Sequence, residues 1–333
     1  HEPFQSDTRV EMVVPNSAGG PVHLPVLRDR IVDLLGPALS EPGSIYLDCT
    51  LGLGGHAAAV LDACPQARLI GIDRDPAALE LAAAGLDRFG SRVELHQAIY
   101  HELGDVLARE RVPSVQAICM DLGLSSLQID TTERGFAYAT DAPLDMRMDP
   151  GQELTAATLV NNQDARALAR LLRNLGDERF ADRIARRIVA ARESHPITTS
   201  AELVRIIIDA IPMAARYSGG HPAKRTFQAL RIAVNDELTS LADALPAALE
   251  ALSPGGRLAV LAYHSGEDRL VKRTFAHAAT DHVPPGLPAV PEALKARFHL
   301  LTRGAERPEE AETAMNPRAA SARLRAIARN QEV

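Results

Sequence analysis

Two apolar runs, Ile45 to Cys49 and Arg68 to Ile72, flank a glycine-rich turn, Gly52 to Gly55, and an Ala-rich stretch of helical pattern. An acid stands near the end of each run, Asp48 in the first and Asp73 just after the second. A strand, a tight turn, a helix and a second strand in that order predict the opening of an open α/β sheet, whose ligands bind at the carboxyl ends of the strands. Glycines in the turn let the backbone approach a ligand closely. The helix start near His56 presents free N–H groups to a carboxylate or phosphate, and Asp73 is placed to accept both hydroxyls of a ribose. Gly52, Gly54 and Ala57 with an acid about 20 residues on satisfy the dinucleotide fingerprint. They serve equally for the nucleoside site of an S-adenosylmethionine enzyme. Three details favour the second: Asp48 would attract the cationic amino-acid end of that molecule and repel a pyrophosphate, adjacent Gly54 and Gly55 make a wider loop, and His56 sits where a pyrophosphate would need room.

Later segments extend the same sheet. Asp75 and Pro76 predict an N-cap and first turn of a helix running to Phe89. Strands follow at 93–96 and 115–120, with a helix over 101–110 between them, and Tyr100 stands where an aromatic ring could stack on an adenine. Asp121 ends the fourth strand and opens a polar loop to Asp130. Leu144 to Asp149 alternates apolar and charged residues, as a strand or turn with a charged face. Apolar residues recur at helical spacing from about 154 to 217, for example Leu168, Leu171, Leu172 and Leu175, which predicts a helical block interrupting the α/β pattern. Residues 223–252 read as one long helix or two, 257–262 as the fifth strand, and the next helix runs to about 278. Residues 281–292 read as a loop. Residues 298–302 and 321–328 pair as a closing hairpin around an acidic, mobile loop. The expected domains are a disordered leader over 1–22, a core formed by 23–130 and 223–333, and an inserted, mainly helical substrate-recognition domain over 131–222.

Composition limits the partners. No apolar run approaches the ~18–20 residues of a membrane span, and no signal-peptide pattern appears, so a cytoplasmic location is expected. Cys49, Cys64 and Cys119 lack metal-ligand spacing and read as buried thiols, with no metal site expected. The net charge of −7 weighs against a broadly basic nucleic-acid surface. Only three of the 36 basic residues are Lys, however, and the arginines cluster at 179–192, around Lys224, Arg225 and Arg231, and from Arg318 to Arg329. Arg suits bidentate phosphate contact, so any RNA contact is expected to be local, at the 179–192 arginines and Lys224–Arg225, with help from Arg318 to Arg325.

Taken together, these segments resemble the bacterial RsmH (MraW) methyltransferases. The resemblance runs from His23 to about Arg329. It rests on Asp48 to His56, Gly71 to Pro76, Asp121 to Ser126 with Gln128, Arg134 to Phe136, Pro143 to Asp149, Phe227 to Ile232 with Asn235, Glu237 and Leu238, His264 to Arg269, and Asn316 to Arg318 with Ser321 to Arg325. It implies a class I S-adenosylmethionine-dependent methyltransferase fold, Rossmann-like, with a mostly parallel seven-stranded sheet and an inserted helical domain. It also implies methyl transfer to the exocyclic N4 of a cytidine in the decoding region of 16S ribosomal RNA, tuning decoding. The partner is then 16S rRNA within the small ribosomal subunit, and a homodimer stays open. The cofactor contacts carried over fall on Gly54, Gly55, His56, Asp73, Tyr100, Asp121 and Gln128. This chain departs from the family pattern at Tyr263, usually Phe, and at Gly266, usually Leu, where an apolar contact is lost.

The exocyclic amine is a poor nucleophile, so acceptors on its N–H groups are needed. Asp121 is the first candidate, with Asp145, His264 and Asp268 as a second acceptor or proton exit; ion pairs with Arg147 and Arg269 are the structural alternatives for Asp145 and Asp268. A nicotinamide oxidoreductase, a non-catalytic cofactor-sensing assembly factor, and methylation of DNA, protein or a small amine remain the competing readings of the residues alone.

Overall fold

The computed structural model describes residues 24–217, 219–282 and 291–331. The expected leader over 1–22 and residues 283–290 of the expected loop lie outside the described residues. In chain order the elements are α1 (Arg28–Leu35), β1 (Ile45–Asp48), α2 (Gly55–Ala63), β2 (Arg68–Asp73), α3 (Pro76–Leu86), β3 (Val93–Gln97), α4 (Leu103–Arg109), β4 (Val115–Asp121) and α5 (Ser126–Asp130). Four helices follow, α6 (Ala156–Asn162), α7 (Ala165–Gly176), α8 (Ala181–Arg192) and α9 (Ser200–Ala210). The chain closes with α10 (Lys224–Asn235), α11 (Glu237–Ala251), β5 (Leu252–Ala262), α12 (Ser265–Ala278), β6 (Phe298–Leu300), α13 (Glu310–Met315) and β7 (Arg323–Arg329).

The seven strands form one sheet in the order β3-β2-β1-β4-β5-β7-β6. β1 to β5 are mutually parallel, and β7 runs antiparallel to both β5 and β6. The order reverses between β1 and β4, the switch point at which such sheets bind ligands. Register aligns Asp48 with Gly71 and Cys119, Asp73 with Gln97, and Asp121 with Leu261. Three acids therefore stand together at the carboxyl edge. Leu47, Ile70, Ile118 and Val260 pack on one face against α11 and α12; Tyr46, Leu69, Cys119 and Ala259 pack on the other against α1 and α2. Both faces are covered, which is why these strands read as continuous apolar runs.

A second apolar cluster, apart from these two, is built by α6 to α9 with Phe136, Leu144, Met146 and Met148. Phe227, Leu230 and Val234 of α10 join it. The amphipathic pattern is evident on α8, where Ile184, Ala185 and Ile188 are buried and Arg183, Arg186 and Arg187 are exposed.

Several expectations are refined. The loop after β4 contains α5, whose first turn is fixed by a capping box: Ser125 Oγ accepts from Gln128 N at 3.2 Å, and Gln128 Oε1 accepts from Ser125 N at 3.1 Å. Leu144, Met146 and Met148 do alternate inward, but the segment is not a strand. Its one ladder contact is an isolated bridge from Pro143 to Thr199, and Asn235 holds its backbone, accepting from Met148 N and donating to Met146 O, both at 2.8 Å. Residues 223–252 contain two helices, broken where Asp236 takes a left-handed conformation (φ 49°). β5 begins at Leu252, and its pairing with β4 slips at Gln116 to accommodate Pro254 to Gly256. The segment expected as a mobile loop between β6 and β7 carries α13. It is tied back to the start of the core, Glu312 Oε1 accepting from Leu27 N at 2.7 Å and Glu306 pairing with Arg30 at 2.8 Å.

Among the described residues no helix is long and apolar enough to cross a membrane.

Candidate active site

A cleft of about 340 Å³ opens at the carboxyl edge of β1, β2 and β4. Its floor is the turn after β1. Gly52 (φ 54°) and Gly54 (φ 81°) occupy left-handed conformations. A Cβ on Gly54 would lie 3.1 Å from Leu86 Cδ1, and one on Gly55 would lie 2.5 Å from Pro25 Cγ. Gly54 and Gly55 therefore leave little room for a side chain, and at these two positions the turn offers a ligand its backbone. Asp73, at the end of β2, accepts from Gly52 N at 2.7 Å and from Asp75 N at 2.9 Å. Each oxygen retains further acceptor capacity, and Asp73 lines the cleft. Burial raises the Asp73 carboxyl above its ordinary value, opposed by those two N–H donors.

Asp121, at the end of β4, also lines the cleft. Its Oδ1 accepts from the Tyr263 hydroxyl at 2.7 Å, and its backbone N donates to Thr50 Oγ1 at 2.6 Å. His56 Nε2 lies 3.3 Å from Asp121 Oδ2, and neither ring nitrogen of His56 has an aligned hydrogen-bond partner among the described residues. Burial raises the Tyr263 phenol well above its ordinary value, and the Asp121 charge adds to this, so the hydroxyl stays a donor. Asp48 differs from the reading that set it against the ligand. It does not line the cleft but lies beneath the turn, 2% exposed, accepting from Tyr46 Oη at 3.0 Å and Thr50 N at 3.2 Å. The chain rises into the turn directly after it, so its carboxylate is covered and acts only as a buried charge.

Tyr100 lines the cleft, and its hydroxyl donates to Glu237 O at 3.0 Å. Gln128 lines the opposite wall, 5% exposed. Its side-chain oxygen is committed to the α5 cap, so its amide nitrogen is what it can offer a ligand. Of the seven residues carried over as cofactor contacts, Gly55, His56, Asp73, Tyr100, Asp121 and Gln128 line one cleft, and Gly54 shapes its floor.

The four acceptor candidates are not gathered in the same way. Asp145 does not line the cleft and is gripped by Arg147, whose Nε and Nη2 donate to its two oxygens at 2.9 Å. Burial works to raise its carboxyl, but the Arg147 contacts outweigh it and the net shift is downward. Asp268 pairs with Arg325 of β7 at 2.8 and 3.1 Å, not with Arg269. His264 is the N-cap of α12, its Nδ1 accepting from Glu267 N, and it faces a neighbouring cleft. None of these three lines the first cleft, whereas Asp121 does, and His264 lines the second. Gly266 follows from the same packing, since a Cβ there would lie 3.1 Å from the His264 ring.

The neighbouring cleft, about 470 Å³, lies between α10, the α7–α8 junction and the end of β5. It carries Arg179, Lys224, Arg225 and His264 and shares Arg231 and Tyr263 with the first. Sequence reasoning missed the link between the clefts. Arg231 donates through Nε and Nη2 to Glu237 at 2.8 and 2.9 Å, and Glu267 accepts from Tyr263 N at 2.8 Å. Glu237, His264 and Glu267 place ligand atoms within 4.8 Å of one another; the Arg231 guanidinium already supplies a cation to them. The C-terminal arginines are occupied: Arg318 by Asp130, Arg325 by Asp268, and Arg323 by the carbonyls of Ser321 and Ala322. That segment forms a strand and its approach, whose neighbours offer acceptors at every step.

The 3-2-1-4-5-7-6 sheet, with a glycine turn after β1 and acids at the carboxyl ends of β2 and β4, marks a class I S-adenosylmethionine-dependent methyltransferase fold. Residues 21–330 match the MraW methylase family, and the chain belongs to it. It is 54% identical to the ribosomal RNA small subunit methyltransferase H of Beutenbergia cavernae over 96% of each chain. It is 58% identical to the protein of that name from Frankia casuarinae over 91% of this chain and 95% of the other. A solved rRNA methylase from Streptococcus thermophilus is 12% identical, with a TM-score of 0.40, covering 91% of this chain and 94% of that one.

Proposed function

We propose that the protein methylates N4 of a cytidine in the decoding region of 16S ribosomal RNA, within the small subunit in the cytoplasm, and so tunes decoding. The observation that most supports this is that the two clefts share Arg231 and Tyr263 in their walls, which sets the cofactor site beside a basic crevice suited to a polynucleotide. The names of its relatives point the same way.

S-adenosylmethionine supplies an electrophilic methyl group on sulfur. The residues carried over as cofactor contacts are its holders: the Gly54–Gly55 backbone and His56 at the amino-acid end, Asp73 at the ribose, and Tyr100 and Gln128 on the walls. Asp121 accepts from the substrate amine. This turns the nitrogen lone pair out of conjugation and toward the methyl carbon. As the new N–C bond formed, the old C–S bond would break with its electron pair passing to sulfur, and the proton lost by the amine would pass to the Asp121 carboxylate. Tyr263 is fixed on Oδ1 of Asp121, and Oδ2, 3.3 Å from His56 Nε2, makes that contact. The target base must leave its stack to reach this depth. Residues 131–222 serve as the substrate-recognition domain, and the exposed Arg183, Arg186 and Arg187 with Lys224 and Arg225 contact phosphates.

The test is transfer of labelled methyl from S-adenosylmethionine to small subunits lacking the modification, with naked RNA in parallel and nucleosides analysed afterwards. Label in N4-methylcytidine is the expected result. Label in another nucleoside, or none with the cofactor still bound, overturns the assignment.

A further inference from the structure

Arg231 is one of two residues that line both clefts, and its charge is already answered. Its Nε and Nη2 form a two-point pair with Glu237, itself 5% exposed. Glu237 is fixed in turn, because its backbone carbonyl accepts from the hydroxyl of the half-buried Tyr100. The backbone carbonyl of Arg231 accepts from Asn235 Nδ2 at 2.9 Å. The guanidinium is therefore locked from both ends. A guanidinium carries five N–H donors, and Nη1 has no hydrogen-bond partner among the described residues. Arg231 lines both clefts, so the remaining donors are available at their junction. Tyr263 lines the same junction and holds Asp121 there through its hydroxyl. An acceptor and a rigid donor thus line one cleft, and both are fixed before any ligand arrives.

We propose that Arg231 reads the pairing edge of the target base, donating from its unpartnered edge to cytosine N3 and O2 while Asp121 accepts from the N4 amine. The inference rests on the reading that a cytosine amine is methylated in this crevice. Cytosine presents a donor at N4 followed by acceptors at N3 and O2 along one edge. Uracil presents an acceptor and then a donor at the first two positions, so it meets Asp121 with a lone pair and Arg231 with an N–H. A site whose polar groups are left unpaired by the wrong base discriminates strongly. Arg231 is thus a specificity-determining residue, and its pair with Glu237 sets the angle of the donors.

The experiment is a two-way cycle. Subunit RNA is assembled with cytidine or 3-deazacytidine, which replaces N3 by C–H, at the position that accepts label. Wild type is compared with Arg231→Lys, which keeps a charge for Glu237 but loses the planar fork. The expected result is that wild type loses about 10- to 100-fold in kcat/KM on the 3-deaza substrate, in line with one lost hydrogen bond to a charged donor. Arg231→Lys loses a similar factor on cytidine and little more on 3-deazacytidine, with unchanged affinity for S-adenosylmethionine. Equal losses by Arg231→Lys on both substrates would overturn the proposal, because a structural role cannot sense N3. Should Arg231→Lys fail to fold, the wild-type comparison still decides: equal rates on the two substrates would refute the contact. Absence of transfer by wild type to the cytidine substrate would instead count against the proposed function.

Discussion

Replacing Asp48 with Asn is expected to stabilise the ligand-free protein at pH 8 and to lose that advantage in acid. Burial pushes the Asp48 carboxyl up from 3.8 to about 6; nearby His56, the Thr50 N–H and the Tyr46 hydroxyl pull it down without prevailing. An acid whose folded pKa is raised binds its proton more tightly in the native state. Its charge therefore costs nothing below about pH 4, and the cost grows as pH rises to about 6 and is constant above. A gap of two pH units at about 1.4 kcal/mol per unit is about 3 kcal/mol. The amide keeps one acceptor where the carboxylate had two, which gives back about 1 kcal/mol for a weakened hydrogen bond. The net gain is about 2 kcal/mol at pH 8. Urea denaturation of wild type and Asp48→Asn at half-unit steps from pH 4 to 8 measures it. The difference between the two proteins should rise through pH 4 to 6 and then stay flat. A difference independent of pH, or a variant weaker than wild type at pH 8, refutes the reasoning.

Other perturbations separate the cofactor site from its supports. Asp73→Asn removes a charged acceptor and is expected to weaken S-adenosylmethionine binding about 10- to 100-fold by calorimetry, without loss of the sheet by circular dichroism. Gly55→Ala drives a Cβ to 2.5 Å from Pro25, so it should cost about 1–3 kcal/mol of stability by overpacking and displace the Leu24–Val26 wall. Arg325→Met leaves Asp268 partly buried without its partner and should cost about 1–3 kcal/mol in urea melts, while cofactor affinity stays within twofold. Reversal of Arg183, Arg186 and Arg187 to Glu should raise the KM for RNA severalfold and flatten its salt dependence, leaving cofactor affinity unchanged.

The carboxyl edge of the sheet was legible because its signals are local. A glycine turn after an apolar run, an Asp-Pro helix start and an acid at each strand end lie within a few residues of one another, and β1, α2, β2 and β4 appear close to where they were expected. What was not legible depends on distance or on direction. Asp48 and Asp121 both close strands, yet the chain rises over the first and away from the second, so one is covered and the other faces the cleft. Asp268 and Arg325 are 57 residues apart, and no sequence pattern marks the pair. The Arg231–Glu237 pair spans a helix break at Asp236, and a non-glycine residue in a left-handed conformation gives little warning of itself. Arg318, Arg323 and Arg325 looked like a phosphate-binding cluster because composition cannot tell a solvated guanidinium from one satisfied by carbonyls and carboxylates.

The central claim is that Asp121, in the wall of the first cleft, accepts from the reacting amine during methyl transfer. Its most direct test is the single-turnover rate of Asp121→Asn at saturating S-adenosylmethionine and subunit, with cofactor affinity measured separately. Asn keeps an oxygen for the Tyr263 hydroxyl but withholds the charge from the reacting amine. A fall of about 10²- to 10³-fold in the chemical step, the scale of one lost transition-state contact, is the predicted result. A rate equal to wild type at saturation would place the acceptor elsewhere and contradict the account.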